Sequence, residues 1–480
     1  MCQLRRLLFL LIAALLPAAA IAGDGDFDTT WGVGGRLVFA ADTHNPDFLS
    51  EAHRLVLEPN GNVLMTGRLV DTQSSPYWWL GEIDSNGAPV PDFGENNGTG
   101  LITGCWLSSA LCHGSQGAAM VLQADGRIVL ASITQLSRTS IGARSLDFSE
   151  TVGGTGLVSA NWVVNDVQGQ MTAATSIAVA GSGKLIVLGQ GKYRATATRN
   201  DLVVARLNPD LSLDTTFNAV ADANGVVFAG GQVVAFEDLG DSYAVNTSVL
   251  ADGRILAQGN ASSSIFAVGV GVAIRLLADG TLDSSYGVNG KAEFPDCTFF
   301  SNAVHIDRAG RALVSCIGSN PRILRIAANG LADPGFGLDG IVAIAPPSGQ
   351  CTGGITVFRS VTDSAGRILV PGLCRPGIDA DGDGSIDPDE LLVVRLFGDD
   401  GSVDPSFGNG GYVLGHFAGN SGGDTAYAAI IDASGKPIVN GFSISANSTQ
   451  LRQAGLARLD YDLIFTNDLE NVPHGRLPGQ

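Results

Sequence analysis

Short apolar segments separated by polar, glycine-rich turns recur along the whole chain, and no long apolar run with helical spacing follows residue 22. Each period of the pattern contains four such segments. One follows a turn unit with an aromatic residue, such as 36–40, two flank a glycine, and the last leads into the next turn unit. Glycine accounts for 64 of the 480 residues, as dense turns require. The pattern predicts four short β-strands per repeat.

A hairpin phrase marks the middle of each repeat. An x-Gly dipeptide between two apolar runs is a strong local signal for a tight turn, because such turns need positive φ. Its seven copies contain the following glycines: Gly61, Gly126, Gly183, Gly253, Gly310, Gly366 and Gly435.

A second phrase, here called the marker, joins one repeat to the next. The copy at 279–290 reads DGTLDSSYGVNG, and related copies lie at 28–35, 333–340 and 404–411. Each combines turn-forming residues with one aromatic residue that can anchor the turn to a core. A third phrase, such as Val272 to Leu276, precedes most markers, but the third repeat has no clear copy of it.

These repeats predict an all-β fold, a seven-bladed β-propeller of four-stranded antiparallel blades. A radial ring protects nearly all strand edges. We expect the strand at 36–40 to complete the last blade, which is built from residues 427–460. The alternative is an array of small β-sandwich domains, each of about sixty residues with a thin core of its own.

The marker, the x-G-R-I hairpin phrase and the V-V-A-R-L phrase together resemble the delta-60 repeat family of bacterial exported proteins. The resemblance covers roughly Gly23 to Asp468. It implies a β-propeller-like fold and export from the cytoplasm. It supplies no catalytic residues, since the repeat positions have structural roles.

Residues 1–22 have the features of a secretory signal peptide: Arg5 and Arg6, an apolar run, and Ala20-Ile21-Ala22 before Gly23. The alternative is a retained membrane anchor. We expect a secreted protein, extracellular or periplasmic, with a propeller at 23–468 and a flexible tail at 469–480. The formal charge of −19 becomes −21 without the two leader arginines, which argues against nucleic acid or anionic membrane partners. We also expect no membrane insertion and a monomer.

Six cysteines follow the leader, an even number that favours disulfides in an exported chain. Their order suggests three local pairs: Cys105 with Cys112, Cys297 with Cys316, and Cys351 with Cys374. Free buried thiols are the alternative. The sequence contains no C-x-x-C motif that would suggest a metal site.

Residues 379–390 satisfy every position of the D-x-[DN]-x-[DN]-G-x5-E calcium loop. The oxygen ligands at loop positions 1, 3, 5, 7, 9 and 12 would come from Asp379, Asp381, Asp383, Ser385, Asp387 and Glu390, in that order. The segment after 390 matches a blade strand instead of the exiting helix of an EF-hand, so we expect Ca²⁺ to stabilise the loop without a sensor-like opening. An acidic, solvated hairpin tip is the alternative.

Other chemistry is sparse in the sequence. None of the histidines, His44, His53, His113, His305, His416 and His474, forms a known metal or catalytic motif. Residues 419–423 match G-x-S-x-G, but that motif needs a strand-to-helix turn. The aromatic run at 76–79 could stack on a sugar or peptide, or could simply be one inward and one outward blade residue.

The sequence therefore favours an exported, non-catalytic propeller that acts as a binding or surface-interaction module for a protein or glycan ligand and carries one structural calcium site. The alternative is a carbohydrate-active enzyme, a lyase or hydrolase, with its site at the central mouth of the propeller. A cluster of Asp, Glu, His or Tyr side chains at that mouth would separate the two. A structural component of the cell envelope is a third possibility.

Overall fold

The computed structural model describes residues 23–39, 49–70, 76–91, 93, 101–104, 117–124, 126, 128–135, 144–151, 157–162, 170–192, 201–210, 212–218, 232–235, 241–262, 270–294, 297, 299–316, 320–377, 387–418, 421–445 and 452–461. The predicted signal peptide and tail lie outside these ranges. No helix within them is long and apolar enough to cross a membrane.

Within the described ranges the strands form seven antiparallel sheets, six of them with four strands. Sheet 1 contains β2 to β5 (Leu49–Leu57, Val63–Val70, Pro76–Ile83, Leu101–Gly104), and sheet 2 contains β6 to β9 (Gly117–Leu122, Ile128–Gln135, Arg144–Thr151, Leu157–Trp162). Sheet 3 contains β10 to β13 (Gln170–Val179, Leu185–Lys192, Asp201–Leu207, Gln232–Ala235), and sheet 4 contains β14 to β17 (Asp241–Val249, Ile255–Ser262, Val270–Leu276, Lys291–Phe294). Sheet 5 contains β18 to β21 (Phe299–Ile306, Ala312–Cys316, Arg322–Ile326, Ile341–Ala343).

Sheet 6 contains β22 to β26 (Gly354–Val357, Val361–Thr362, Ile368–Arg375, Glu390–Leu396, Tyr412–Gly415). Sheet 7 contains β27 to β29 (Ser421–Ile431, Pro437–Ser445, Arg452–Arg458) together with β1 (Arg36–Phe39). The one described helical turn is a short 3₁₀ segment, Gly181–Gly183, at the hairpin turn of sheet 3.

The hydrophobic core lies between the faces of neighbouring sheets. One buried cluster joins Leu188 and Val204 of sheet 3 to Ile255 and Ile274 of sheet 4. Further clusters join sheets 4 and 5, 5 and 6, 6 and 7, and 7 and 1 in the same way. Because each sheet shares its core with the next, the chain is an all-β propeller, as predicted, and not an array of sandwich domains with separate cores.

The ring closes between the two ends of the chain. Strand β1 pairs antiparallel with β29, in a register that places Arg36 opposite Ala457 and Phe39 opposite Ala454. The prediction that the strand after Gly35 completes the last sheet is therefore confirmed. Sheet 7 in turn packs on sheet 1, since β2 contacts β28 and β29.

Sheet 6 departs from the predicted four-stranded plan. Its first strand is split into β22 and β23, which both pair with β24, so this sheet has five strands. The break has its cause in the neighbouring sheet: the backbone N–H of Arg359 donates to the carbonyl of Tyr427 in sheet 7 (3.2 Å) and not to β24. The prediction of uniform four-stranded blades is wrong for this sheet.

The markers pack as predicted, with one aromatic residue each in the core. Trp31, Phe217, Phe336 and Phe407 are 0% exposed and Tyr286 is 2% exposed. The following turn packs directly against the aromatic ring. At Gly280, with φ +94°, an added Cβ would lie 2.8 Å from the ring of Phe217, so only glycine fits this contact.

An arginine in the strand next to the outermost strand of a sheet completes each of five markers. Arg275 donates from Nε to Asp283 (2.7 Å), from Nη2 to Ser285 (2.9 Å) and from Nη1 to the carbonyl of Ala328 in the next sheet. The guanidinium also lies over the Tyr286 ring. Equivalent arginine–aspartate pairs are Arg206–Asp214, Arg325–Asp333, Arg395–Asp404 and Arg458–Asp28. The marker thus also joins neighbouring sheets.

Two of the three predicted disulfides are present. Cys297 bonds to Cys316, and Cys351 bonds to Cys374, with a Cα–Cα distance of 5.0 Å in each. Both lie within a single sheet or its adjoining loop, as the local pairing scheme predicts. Cys105 and Cys112 lie outside the described residues, so their pairing stays a prediction.

Candidate functional site

A cavity of about 380 Å³ lies where sheets 5, 6, 7 and 1 face each other near the axis of the ring. The first strands of neighbouring sheets contact one another, as β10 does with β6 and β14, so these strands lie nearest the axis. The cavity is lined from β2, β18, the split strand of sheet 6, and β27, with Asn440 from β28. A volume of this size suits a small ligand or one residue of a larger one.

A register shift near the middle of the first strand recurs around the ring and shapes this lining. It precedes the residue seven positions before the hairpin glycine in five sheets, at Arg54, Ala119, Ser176, Asn246 and Ala428. Such bulges bend a strand and re-aim its side chains. Sheet 6 has its strand break at the equivalent place, and Arg359 lies seven positions before Gly366.

Two arginines from this repeat position line the cavity. Burial and the charge of Arg359 lower the pKa of Arg54, and burial lowers the pKa of Arg359. Within the described part of the chain, no carboxylate lines the cavity or forms an ion pair with Arg359. The cavity therefore holds positive charge in a poorly solvated place, where it favours an anion.

His305 lies beside Arg359 and is held neutral. The backbone N–H of Thr362 donates to Nε2 of His305 (3.3 Å), and the Thr362 hydroxyl is 2.8 Å from the same atom. Nε2 thus serves as an acceptor, which places the proton of the neutral ring on Nδ1. Burial, helped by the charge of Arg359 and opposed by that of Asp307, lowers the pKa of His305 to about 4.

The rest of the lining combines spare polar atoms with an aliphatic wall. Ser360 is 1% exposed, and its hydroxyl makes no hydrogen bond to any described residue. Asn440 donates to the carbonyl of Ala52 (2.9 Å), while its Oδ1 has no described partner. The wall is formed by Leu55, Leu57, Val361, Ala428, Ala429, Ile430 and Ile431.

A second polar group adjoins the cavity through His53. Glu51 is ion-paired with Arg452 and lies 3.1 Å from Nε2 of His53, whose ring meets that of Tyr427 edge-on at 5.9 Å. Burial opposes ionisation of Glu51, but His53 and Arg452 outweigh it and lower the pKa to about 2. Burial and the charge of Glu51 raise the pKa of Tyr427. Glu51 and Tyr427 are therefore poorly matched to proton transfer near neutral pH.

The predicted calcium loop is only partly described. Asp379, Asp381, Asp383 and Ser385 lie outside the described residues, which include Asp387 and Glu390. Glu390 opens β25, and its pKa is raised by burial and by the charges of Asp387 and Asp424, against the opposing effect of His416. His416 in turn is paired with Asp424 at 2.6 Å. In the described ranges no three potential ligands come together, so the calcium site stays a prediction.

The other candidate residues from the sequence that the structure describes have structural roles. The indole N–H of Trp79 is fully buried and donates to the carbonyl of Glu51 (3.2 Å), as a blade residue would. Ser421 of the G-x-S-x-G match opens a strand, so the strand-to-helix turn of a nucleophile elbow is not formed there. His44, His113 and His474 lie outside the described residues.

Sequence reasoning overlooked Arg54 and Arg359, although the repeat contains a signal for them. At their position, seven residues before the hairpin glycine, the other five repeats have Ala119, Ser176, Asn246, Ala303 and Ala428. Arginine is large and charged, and the other repeats have smaller, uncharged residues at this position. The two arginines therefore mark repeats that depart from the common pattern. Only the fold shows that this position faces a cavity.

Two segments of the chain, 181–217 and 250–286, match a protein family described as a domain of unknown function (DUF5122) beta-propeller. No curated protein is a significant match. Solved structures resemble the chain at low identity. The polysaccharide lyase Uly1 is 12% identical, with a TM-score of 0.46 over 85% of this chain and 90% of its own. Virginiamycin B lyase from Staphylococcus aureus is 9% identical, with a TM-score of 0.43 over 88% of this chain and 98% of its own. The PQQ-bound aldose sugar dehydrogenase from Streptomyces coelicolor is 12% identical, with a TM-score of 0.38 over 71% and 96%.

Proposed function

We propose that this protein is an exported, non-catalytic binding module that takes its ligand, or one residue of a protein or glycan ligand, into the central cavity. The observation that carries the proposal is the lining itself. Four sheets contribute to one concave site with an aliphatic wall, the buried Arg54, the half-buried Arg359 and a hydroxyl without a described partner. Mostly apolar pockets with a few convergent polar groups are typical small-ligand sites.

The ionisation states around the cavity favour binding over acid–base chemistry. Glu51 is ionised down to about pH 2 and is engaged by Arg452, and His305 stays neutral down to about pH 4. A general acid or base works best with a pKa near the operating pH. These groups hold fixed charges and dipoles, which orient a ligand.

A structural calcium ion is the second part of the proposal. The donor set of 379–390 fits Ca²⁺, since five aspartates and one glutamate in twelve residues supply carboxylate oxygens. Where the structure describes this segment, Glu390 lies near the charges of Asp387 and Asp424, which raise its pKa. A bound cation would relieve that repulsion and fix the loop where it enters β25.

The test is a screen of glycans, peptides and small organic molecules against wild type and a variant with the cavity filled, Ala428→Leu. Ala343→Leu, a matched change at an exposed position of β21, is the control. We expect bound ligands to lose affinity for the first variant and to keep it for the second. Thermal melting of both variants checks that the ring is intact.

The same screen separates binding from catalysis. Each ligand that binds is incubated with the protein and then analysed by mass spectrometry. We expect it to be recovered unchanged. Cleavage of a bound glycan would support the lyase or hydrolase alternative and would overturn the non-catalytic assignment, while a screen without any cavity-dependent ligand would overturn the binding module.

A further inference from the structure

Arg359 differs from the marker arginines of this ring in having no described carboxylate partner. The marker arginines Arg275 and Arg395 are 3% and 0% exposed, and each is paired with an aspartate at 2.7 Å. Arg359 lines the cavity instead, near the like charge of Arg54. A half-buried charge without a counter-ion is poorly solvated, and an anion from solution would supply the missing opposite charge.

Given the binding site proposed above, we propose that the cavity recognises a small organic anion, a carboxylate with an apolar body. The planar guanidinium fork of Arg359 matches a carboxylate in a bidentate geometry, with Arg54 as a second positive charge. The Ser360 hydroxyl, which is buried and has no described partner, can donate a further hydrogen bond.

The remainder of the lining selects an organic anion over an inorganic one. Seven of the fourteen lining residues are aliphatic, and they offer no side-chain hydrogen bonds to a second charged or strongly hydrated oxygen. A hydrocarbon group on this wall would be removed from water, which is favourable, while sulfate or phosphate would leave the wall unused. About 380 Å³ accommodates a carboxylic acid of roughly the size of benzoate.

Three probes test the chemistry: benzoate, its neutral isostere benzamide, and inorganic sulfate, each titrated by calorimetry and by thermal melting at constant ionic strength. We expect benzoate to bind and to raise the melting temperature. Because charge-assisted hydrogen bonds are lost, benzamide should bind about 10- to 100-fold more weakly. Sulfate should also bind more weakly than benzoate. Equal binding of benzamide, or tighter binding of sulfate, would overturn the inference.

The variant Arg359→Met tests the residue. We expect benzoate affinity to fall by about 10- to 100-fold, while the ligand-free protein melts at the same or a higher temperature, because a desolvated charge has been removed. A residue with only a structural role would instead lower the melting temperature. Arg308→Met is the control, since Arg308 is exposed and its substitution removes the same positive charge from the protein. If Arg359→Met does not fold, Arg359→Lys replaces it, and benzoate should bind this variant more weakly because the fork is lost.

The outcomes also separate this inference from the proposed binding function. If benzoate and benzamide bind wild type equally and both lose affinity for Ala428→Leu, the cavity is a binding site and the anion inference is wrong. Unchanged benzoate binding by Arg359→Met would have the same meaning. If no probe and no member of the wider screen depends on the cavity, both proposals are wrong.

Discussion

Each marker arginine contacts two sheets at once, and this double contact is what couples the blades. Arg275 is held by Asp283 and Ser285 of its own sheet and donates to the carbonyl of Ala328 in the next. The pair with Asp283 is almost fully buried, at 3% and 8% side-chain exposure. Removing the cation would leave the buried carboxylate of Asp283 with only the longer contact to Arg254, at 3.3 Å.

We predict that Arg275→Met lowers the free energy of unfolding by about 2 kcal/mol, because the buried carboxylate of Asp283 would keep only the longer contact to Arg254 and so be poorly compensated. The measurement is the urea midpoint followed by intrinsic fluorescence. The exposed Arg308 provides the comparison, and Arg308→Met should change the stability by less than about 0.5 kcal/mol. Similar midpoints for both variants would contradict the coupling role of the marker arginine.

His305 predicts a specific dependence of stability on pH. Its pKa in the folded protein, about 4, lies below the ordinary value of 6.5, because burial and Arg359 disfavour the charged ring while Asp307 favours it. Between these values the unfolded chain binds a proton that the folded chain does not. Stability therefore falls as the pH falls from 6.5 to 4, by roughly 3 kcal/mol in all, and the loss persists below that.

The variant His305→Gln should have a flatter stability profile between pH 6.5 and 4, measured by urea unfolding at half-unit steps. Glu51 does not affect the comparison, because wild type and variant both contain it and its contribution to stability is lost mainly below pH 4, as the pH falls from 4.5 to about 2. Parallel profiles for wild type and variant from pH 6.5 to 4 would show that His305 is not held neutral.

At the scale of single elements, the loop 379–390 is where a cation should matter most. We predict that Ca²⁺ raises the melting temperature at millimolar concentration and binds with a dissociation constant of about 10⁻⁴ to 10⁻³ M, in the range of extracellular modules. Calorimetric titration of wild type and of the double variant Glu390→Gln, Asp379→Asn measures both effects. The double variant should give no binding heat.

Ala428→Leu provides the control for the calcium titration, because it alters the cavity and leaves the loop intact. It should bind Ca²⁺ as wild type does. Equal heats from wild type and the loop variant would mean that the acidic segment is a solvated hairpin tip.

The elements that sequence reasoning predicted well are those with local causes. The hairpin glycines and the marker turns depend on positive φ and on one anchoring aromatic, such as Phe407, and both can be read from a few adjacent residues. The contact that each marker arginine makes between sheets was not predicted, because its second partner, such as the Ala328 carbonyl for Arg275, belongs to another sheet. The split in sheet 6 escaped prediction for the same reason, since the Arg359 N–H bonds to Tyr427.

In the whole molecule, closure of the ring determines which distant residues become neighbours, and this cannot be predicted from composition. The formal charge of −19 points away from anionic partners, yet the cavity brings Arg54 and Arg359 together from sheets 1 and 6. These residues are about three hundred positions apart in the sequence, and only the closed ring makes them neighbours. The candidate site could therefore not be predicted from local patterns, whereas the propeller could.

The pairing of β1 with β29 also determines when the ring can close during synthesis of the chain. The first strand to be synthesised finds its partner last, because Arg36 lies opposite Ala457. At ribosomal rates of about 5 to 20 residues per second, β1 waits roughly 20 to 85 seconds for β29. Throughout this interval β1 lacks its partner strand, and its unpaired backbone groups could accept a strand from another chain. The closure that protects the finished ring thus makes its synthesis the period of greatest risk of aggregation.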